Sequence, residues 1–246
     1  MIEVRDLLVE RGGRPILEGY DLAIANGSVV AILGANGIGK TSLINTIAGL
    51  LKPSRGEVHC RARIGYVPQL FDVAFDYSVT DIVLMGRARQ VGLFGTPQRR
   101  DYDAVHSQLS TLGINHLAER SFNALSGGQR QLVIIAQALV SECQVLILDE
   151  PCSALDYHNQ AVVISVLDRL SREHGMTVLF TTHSPQHALE IASDVLLMYD
   201  SNAFDFGPTA RTLSEENLAR LYGVEVRKAV FDDDKSFTYA PVFRSR

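Results

Sequence analysis

The sequence predicts an α/β fold in which a mostly parallel sheet carries helices on both faces. Three observations predict it. An apolar run, Val29-Val30-Ala31-Ile32-Leu33, leads straight into Gly34-Ala35-Asn36-Gly37-Ile38-Gly39-Lys40-Thr41 and then into apolar residues at helical spacing. Two further buried-strand runs, around Val145-Ile147-Leu148 and Met176-Thr177-Val178-Leu179-Phe180, flank a helical stretch. From about residue 78 to residue 140 the pattern is helical, which marks a helical subdomain inserted in the core.

Taken in order, residues 2–10 alternate as a strand, and Tyr20-Asp21-Leu22-Ala23-Ile24 makes a second. Asn26-Gly27 is a turn signal. After the glycine-rich segment, Leu43, Ile44, Ile47, Leu50 and Leu51 predict a helix that stops at Lys52-Pro53. Short strands follow at Glu57-Val58 and at Arg63–Val67, and this opening suggests a small antiparallel sheet beside the core. In the insert, Asp81, Ile82, Val83 and Met85 begin one helix. A loop from Gly92 to Pro97 follows, and Tyr102, Val105, Leu109 and Leu112 mark another helix before Gly113. Asp156 is placed to cap a helix with the apolar face Val162, Val163, Val166, Leu167 and Leu170. Ser184-Pro185 reads as an N-cap with proline at the first helical position. Residues 1–224 are expected to form the main domain. Residues 225–246 are expected to be an appended C-terminal tail, with the acidic run Asp232-Asp233-Asp234 as solvated surface.

The chain has 246 residues, 46% of them hydrophobic, enough for a substantial core. Its formal net charge of −5 argues against nucleic acid as a partner, because neutralising phosphates needs clustered Lys and Arg. Cys60, Cys143 and Cys152 are odd in number and lack C-x-x-C spacing, which suits a reducing compartment and gives no disulfide or metal framework. Met1-Ile2-Glu3-Val4-Arg5-Asp6 is charged where a signal peptide would turn apolar. No run of about 18 apolar residues exists, so any membrane-spanning helices are expected to come from another subunit.

The segment Gly34–Thr41 fits G-x-x-x-x-G-K-[ST], the phosphate-binding P-loop, in the strand-to-helix context that motif needs. Its glycines let backbone approach phosphate, and backbone N–H groups at the helix N-terminus face the anion. Lys40 can reach β- and γ-phosphates, and Thr41 can offer a hydroxyl to Mg²⁺. The run ending in Leu148-Asp149-Glu150 delivers two carboxylates to the C-terminal end of a strand, where ligands sit in open α/β sheets. Asp149 is the candidate Mg²⁺ ligand, and Glu150 the candidate for orienting and polarising the attacking water. A third element, Leu125-Ser126-Gly127-Gly128-Gln129, opens a helix carrying Leu132, Val133, Ile135, Ala136 and Leu139. It is a second anion-binding helix N-terminus.

With these residues in view, the chain resembles ATP-binding cassette (ABC) ATPases, the nucleotide-binding subunits of transporters. Leu125–Gln129 matches that family's signature motif. Gln69, in Tyr66-Val67-Pro68-Gln69, matches its Q-loop. Ser153-Ala154-Leu155-Asp156 matches its D-loop, and His183, in Phe180-Thr181-Thr182-His183, its switch histidine. The match spans about residues 2–220, with every motif in the family's order. It implies a P-loop NTPase (RecA-like) core with an N-terminal antiparallel β-subdomain and an inserted helical subdomain. ATP would be held by Gly34, Asn36, Gly37, Gly39, Lys40, Thr41 and Ser42 of one subunit and by Ser126 and Gly128 of a second copy in a head-to-tail homodimer, with Asp156 contributing. Thr41, Gln69 and Asp149 would serve Mg²⁺. Glu150, His183 and Gln69 would be the catalytic set, with Gln69 reporting to a membrane permease and His183 contacting the γ-phosphate.

The stretch Tyr77–Arg87, with Gly86-Arg87, is similar to ATPases of the importer group serving iron-siderophore, vitamin B12 and molybdate uptake, and within it closest to the molybdate/tungstate member. Such systems work from the cytoplasmic face of the inner membrane, with a permease and, indirectly, a periplasmic substrate-binding protein. The alternatives are an exporter ATPase or a soluble ABC protein acting on ribosomes or DNA. The latter usually carries two cassettes or a coiled-coil insert plus basic tracts, none of which is present here. The sequence departs from the family at Arg11, where an aromatic commonly stacks on adenine, at Cys152, commonly Thr, and at Gln137, more often Arg. Arg11 can also stack on a flat ring. For Cys152 two expectations stand side by side: a small buried space-filler, or an oxidant-sensitive thiol.

Overall fold

A computed structural model describes residues 1–69, 75–92, 95–231 and 236–243. Asp232-Asp233-Asp234 and part of the Gly92–Pro97 loop lie outside the described residues. The chain divides into two compact units, Met1–Arg61 together with the chain from Thr177 onward, and Ala62–Met176.

The first unit opens with β1 (Ile2–Arg11) and β2 (Arg14–Ile24), an antiparallel hairpin in register from Ile2↔Ile24 to Arg11↔Arg14. Gly12 and Gly13 both have positive φ (59° and 73°), as a two-residue turn matching the strand twist requires. The buried positions of β1 run Ile2, Val4, then Leu7, Val9. The alternation changes phase at Asp6, which takes φ 43° at a register shift and donates its N–H to Asp21 Oδ1 at 2.9 Å. The bulge lets one strand keep apolar residues on one face across the phase change.

Strand β3 (Val29–Gly34) is buried along its whole length and feeds α1 (Lys40–Ile47). The helix ends earlier than its apolar spacing suggests. Gly49 takes φ 74° with its N–H on Thr46 O, so the chain leaves the helix before Leu50 and Leu51, which are 65% and 37% exposed. Strand β4 (Arg55–Cys60) pairs antiparallel with the other edge of β1, completing the small sheet in the order β2-β1-β4.

The second unit begins with β5 (Ile64–Val67). This strand does not join the antiparallel sheet expected of it. It pairs in parallel with β6, because its apolar residues lie beside those of Val145–Leu148 and its partner is set by that non-local burial. Next come α2 (Val79–Met85), α3 (Ala88–Val91), α4 (Arg99–Thr111), two short 3₁₀ turns at Asn115–Leu117 and Phe122–Ala124, and α5 (Gly127–Leu139). Helices α2 and α5 carry reciprocal capping boxes, Ser78 with Asp81 and Ser126 with Gln129. Strand β6 (Val145–Leu148) is fully buried and is followed by α6 (Tyr157–His174).

An ion cluster ties this unit's helices together. The Arg87 guanidinium, 8% exposed, donates to Asp101 Oδ1 at 3.1 and 3.2 Å, to Glu142 Oε1 at 2.9 Å and to the Val140 carbonyl at 3.3 Å. Backbone N–H donation from Gln98 and the guanidinium hold Asp101 below the usual carboxylate range, and Arg87 does the same to Glu142. Gly86 is needed beside it, since a Cβ there would lie 2.0 Å from the Gln137 carbonyl oxygen. The Gly86-Arg87 pair is therefore an internal fastening of the helices α2, α4 and α5.

The chain re-enters the first unit with β7 (Thr177–Thr182), α7 (Pro185–Ile191), β8 (Asp194–Met198) and β9 (Phe204–Pro208). Strand β3 lies between β7 and β8, parallel to both, and β9 returns antiparallel on β8. Ser184 is the N-cap of α7 with Pro185 following, but its side chain makes no capping bond. Helices α8 (Thr209–Thr212) and α9 (Glu215–Tyr222) follow. Within the C-terminal tail, β10 (Val226–Val230) and β11 (Phe237–Pro241) form a hairpin. Val226 is buried, the Lys228 N–H donates to Glu215 at the start of α9 and the Tyr239 hydroxyl to the Leu213 carbonyl just before it, so these bonds hold the hairpin against that part of the chain.

Candidate functional site

In the first unit, parallel pairing of β3 with β7 sets Leu33 opposite Thr182. The P-loop and His183 therefore leave adjacent strands at the same end. Gly34 closes β3, where a Cβ would meet Ile38 Cγ2 at 2.8 Å and the Met198 carbonyl oxygen at 3.0 Å. Gly39, with φ 113°, stands at the N-cap of α1, where a Cβ would meet Ile16 Cγ2 at 2.7 Å. Gly37 is also left-handed, and Asn36 is exposed. Lys40 is 5% exposed. Its Nζ donates to the carbonyls of Gly34 (2.9 Å) and Ala35 (3.2 Å) and lies 3.4 Å from His183 Nε2. Thr41 and Ser42 occupy the first turn of α1, whose N–H groups a glycine N-cap leaves uncapped by any side chain. This is a curled backbone around an ammonium group, with a second nitrogen base beside it. Such a loop suits a polyanion.

In the second unit, Val67 lies opposite Leu148, so the residues that follow emerge together. The Asp149 N–H donates to the Val67 carbonyl at 2.9 Å, and the Asp149 side chain is buried. Gln69 Nε2 donates to Glu150 Oε2 at 3.0 Å. Glu150 takes φ 46°, a left-handed conformation uncommon outside glycine and, at a strand end, a mark of functional sites. Its carbonyl accepts from both the N–H and the hydroxyl of Ser153 at 3.1 Å, which fixes the turn. Burial and the Asp149 charge push the Tyr66 phenol up to about 12.

The same unit brings Ser126, Gly128 and Asp156 into one assembly. Ser126 Oγ accepts from the Gln129 N–H at 3.3 Å, and Gln129 Oε1 accepts from the Ser126 N–H at 3.2 Å. Asp156 caps α6, accepting from the Asn159 N–H at 2.8 Å and from Asn159 Nδ2 at 2.9 and 3.0 Å. The Asn159 amide so held sits against Gly128, where a Cβ would lie 2.2 Å from Asn159 Oδ1. Asn159 was not legible as part of the site. The available signal was an asparagine three residues after an N-cap aspartate.

Among the described residues, no group of three or more His, Cys, Asp or Glu side chains is arranged to hold a metal. The candidate donors Thr41, Gln69 and Asp149 are a hydroxyl, an amide and a carboxylate. Each carries a hard oxygen donor of the kind that Mg²⁺ takes. Arg11 is exposed at the end of β1, opposite Arg14. Cys152 is buried at 4% exposure, and desolvation pushes its thiol up to about 12. Its burial fits the space-filling expectation. For Gln137 the structure offers no account of the departure.

Residues 17–153 match the ABC transporter family. The molybdate import ATP-binding protein MolC of Haemophilus influenzae is 42% identical over 221 residues, 89% of this chain and 87% of that protein. A solved inward-facing ABC transporter, described as of metal-chelate type, superposes with TM-score 0.94 at 38% identity, covering 99% of this chain and 98% of the other. A dimeric bacterial ABC transporter cassette superposes with TM-score 0.74 at 25% identity, covering 85% and 99% of the two chains.

Proposed function

This chain belongs to the ABC transporter family, and from that premise we propose that it powers an importer of a metal chelate or of an oxyanion of the molybdate kind. It has the P-loop NTPase fold of ABC ATPase cassettes, and it binds and hydrolyses ATP as that family's ATPase subunits do. The importer reading draws on the likeness to the molybdate import protein and to the metal-chelate type transporter. The observation that carries the chemistry is the buried Lys40 ammonium, wrapped by its own loop carbonyls beside His183.

The roles follow from the groups. Gly34, Asn36, Gly37, Gly39, Lys40, Thr41 and Ser42 bind the phosphates through backbone N–H groups, the ammonium and hydroxyls. Thr41, Gln69 and Asp149 would hold Mg²⁺, which would supply positive charge to offset that of the phosphates. Glu150 orients water for attack on the γ-phosphorus, and Gln69 fixes that carboxylate by its amide bond. His183 binds the γ-phosphate. Ser126 and Gly128 of a second copy complete the site in a head-to-tail homodimer, with Asp156 supporting them. Phosphoryl transfer then rests on positioning and charge stabilisation, with no covalent enzyme intermediate.

The ATPase domain is residues 1–224, with the helical subdomain at about 78–140, and residues 225–246 are an appendage to it. Among the described residues no helix is long and apolar enough to cross a membrane. The chain works as a peripheral subunit on the cytoplasmic face, under a permease that receives substrate from a periplasmic binding protein. The test is Glu150→Gln. The variant is expected to bind ATP, stop turning over and elute as a nucleotide-trapped dimer. Wild-type turnover would remove Glu150 from its role. The membrane protein that copurifies, and the solute that stimulates ATPase activity of the complex, then identify the cargo.

A further inference from the structure

We infer that Tyr222 is a positioning residue for His183: its phenol, presented by α9, holds the backbone of the histidine that meets the γ-phosphate. This rests on the role given to His183 above. The Tyr222 hydroxyl donates to the His183 carbonyl at 2.9 Å, across 39 residues of sequence. The carbonyl belongs to the residue whose Nε2 lies 3.4 Å from Lys40 Nζ. The bond therefore acts on the link between strand β7 and helix α7 that carries the imidazole.

That link is held from its other side as well. Thr182 Oγ1 accepts from the Ser184 N–H at 3.1 Å and lies 3.0 Å from His187 Nδ1. Tyr222 comes from a helix tied down at both ends. Helix α9 is capped by Ser214, which accepts from the Asn217 N–H at 3.1 Å, while Asn217 Nδ2 reaches the Thr212 carbonyl at 2.9 Å. Leu218 and Leu221 are buried, and Arg220 stacks on the Tyr199 ring at 4.0 Å. Gly223, with φ 67°, ends the helix immediately after Tyr222 and returns its N–H to the Ala219 carbonyl at 2.9 Å. A rigid helix end aimed at a loop is what a positioning contact needs, because a side chain on a mobile element cannot fix its target. Burial pushes the half-buried phenol up to about 12, so it stays protonated, and a donor, well above neutrality.

The experiment uses the full chain and compares Tyr222→Phe with Tyr239→Phe. The second variant removes a hydroxyl bond to the Leu213 carbonyl in the same layer without touching the His183 loop. Tyr222→Phe is expected to lower kcat by roughly three- to tenfold, the size of one lost hydrogen bond, with KM for ATP unchanged. It is also expected to move the imidazole NMR signal of His183, assigned by its loss in His183→Ala. Tyr239→Phe should do neither. An unmoved His183 signal, an unchanged kcat, or equal effects from both variants would overturn the inference. Full turnover by His183→Ala would instead overturn the role of the histidine itself, so the two failures are distinguishable.

Discussion

Replacing Gly128 with alanine puts a methyl group 2.2 Å from Oδ1, 2.5 Å from Cγ and 2.9 Å from Cβ of Asn159. Asn159 cannot step aside without cost, because Asp156 holds both its backbone N–H and its amide nitrogen. Overpacking of this kind costs about 1–3 kcal/mol. Weakening the bond between the two side chains adds about 1 kcal/mol. The better helix propensity of alanine returns about 1 kcal/mol. The net loss is about 1–3 kcal/mol, a fall in melting temperature on the order of 3–10 °C for a chain of this size. Scanning calorimetry of the nucleotide-free protein reads it. Adding Asn159→Ala removes the two closest contacts and leaves only the one to Cβ, so the double variant should melt above Gly128→Ala alone. If Gly128→Ala melts at the wild-type temperature, or if Asn159→Ala brings no recovery, the packing explanation of this glycine is wrong.

Arg87→Met removes the hub of the buried ion cluster and leaves Asp101 without its buried cationic partner, so the melting temperature should fall on the order of 5–10 °C; a wild-type melt would show the cluster to be ornamental. Asp101 and Glu142 titrate below their ordinary values in the folded chain, so their contribution is present above the unfolded pKa and is lost as pH falls through the folded one. The melting temperature should therefore change little from neutrality down to about pH 5 and drop below about pH 4, with a shallower drop in Arg87→Met; equal slopes in the two proteins would contradict this. Of the three cysteines, only half-buried Cys60 should react with a thiol reagent in the native state, and all three in denaturant; rapid native labelling of Cys152 would refute its burial.

The P-loop, the Asp149-Glu150 pair and the signature helix start were legible because each is a local pattern whose chemistry needs neighbours in sequence. Where the reading failed, the deciding contact was distant or the punctuation was misjudged. Helix α1 was drawn through Leu50 and Leu51 on apolar spacing, but left-handed Gly49 ends it, and the two leucines face outward. Strand β5 was assigned to the wrong sheet because nothing within Ile64–Val67 says that β6 will lie beside it. Within the tail after Gly223, the mixed polar residues do not announce a hairpin. Its order comes from cross-strand backbone bonds and from Tyr239 reaching back to Leu213. Tyr222 is an ordinary helix residue until its hydroxyl is seen to end on His183.

Lys40 remains. Its charge is buried and bonded to the carbonyls of Gly34 and Ala35. The fold itself, through these bonds, holds the long stem in one place, so little side-chain entropy is left to lose when phosphate binds. Nucleotide that binds the folded chain and not the unfolded one should then register as a gain in the heat resistance of the whole fold as well as in catalysis.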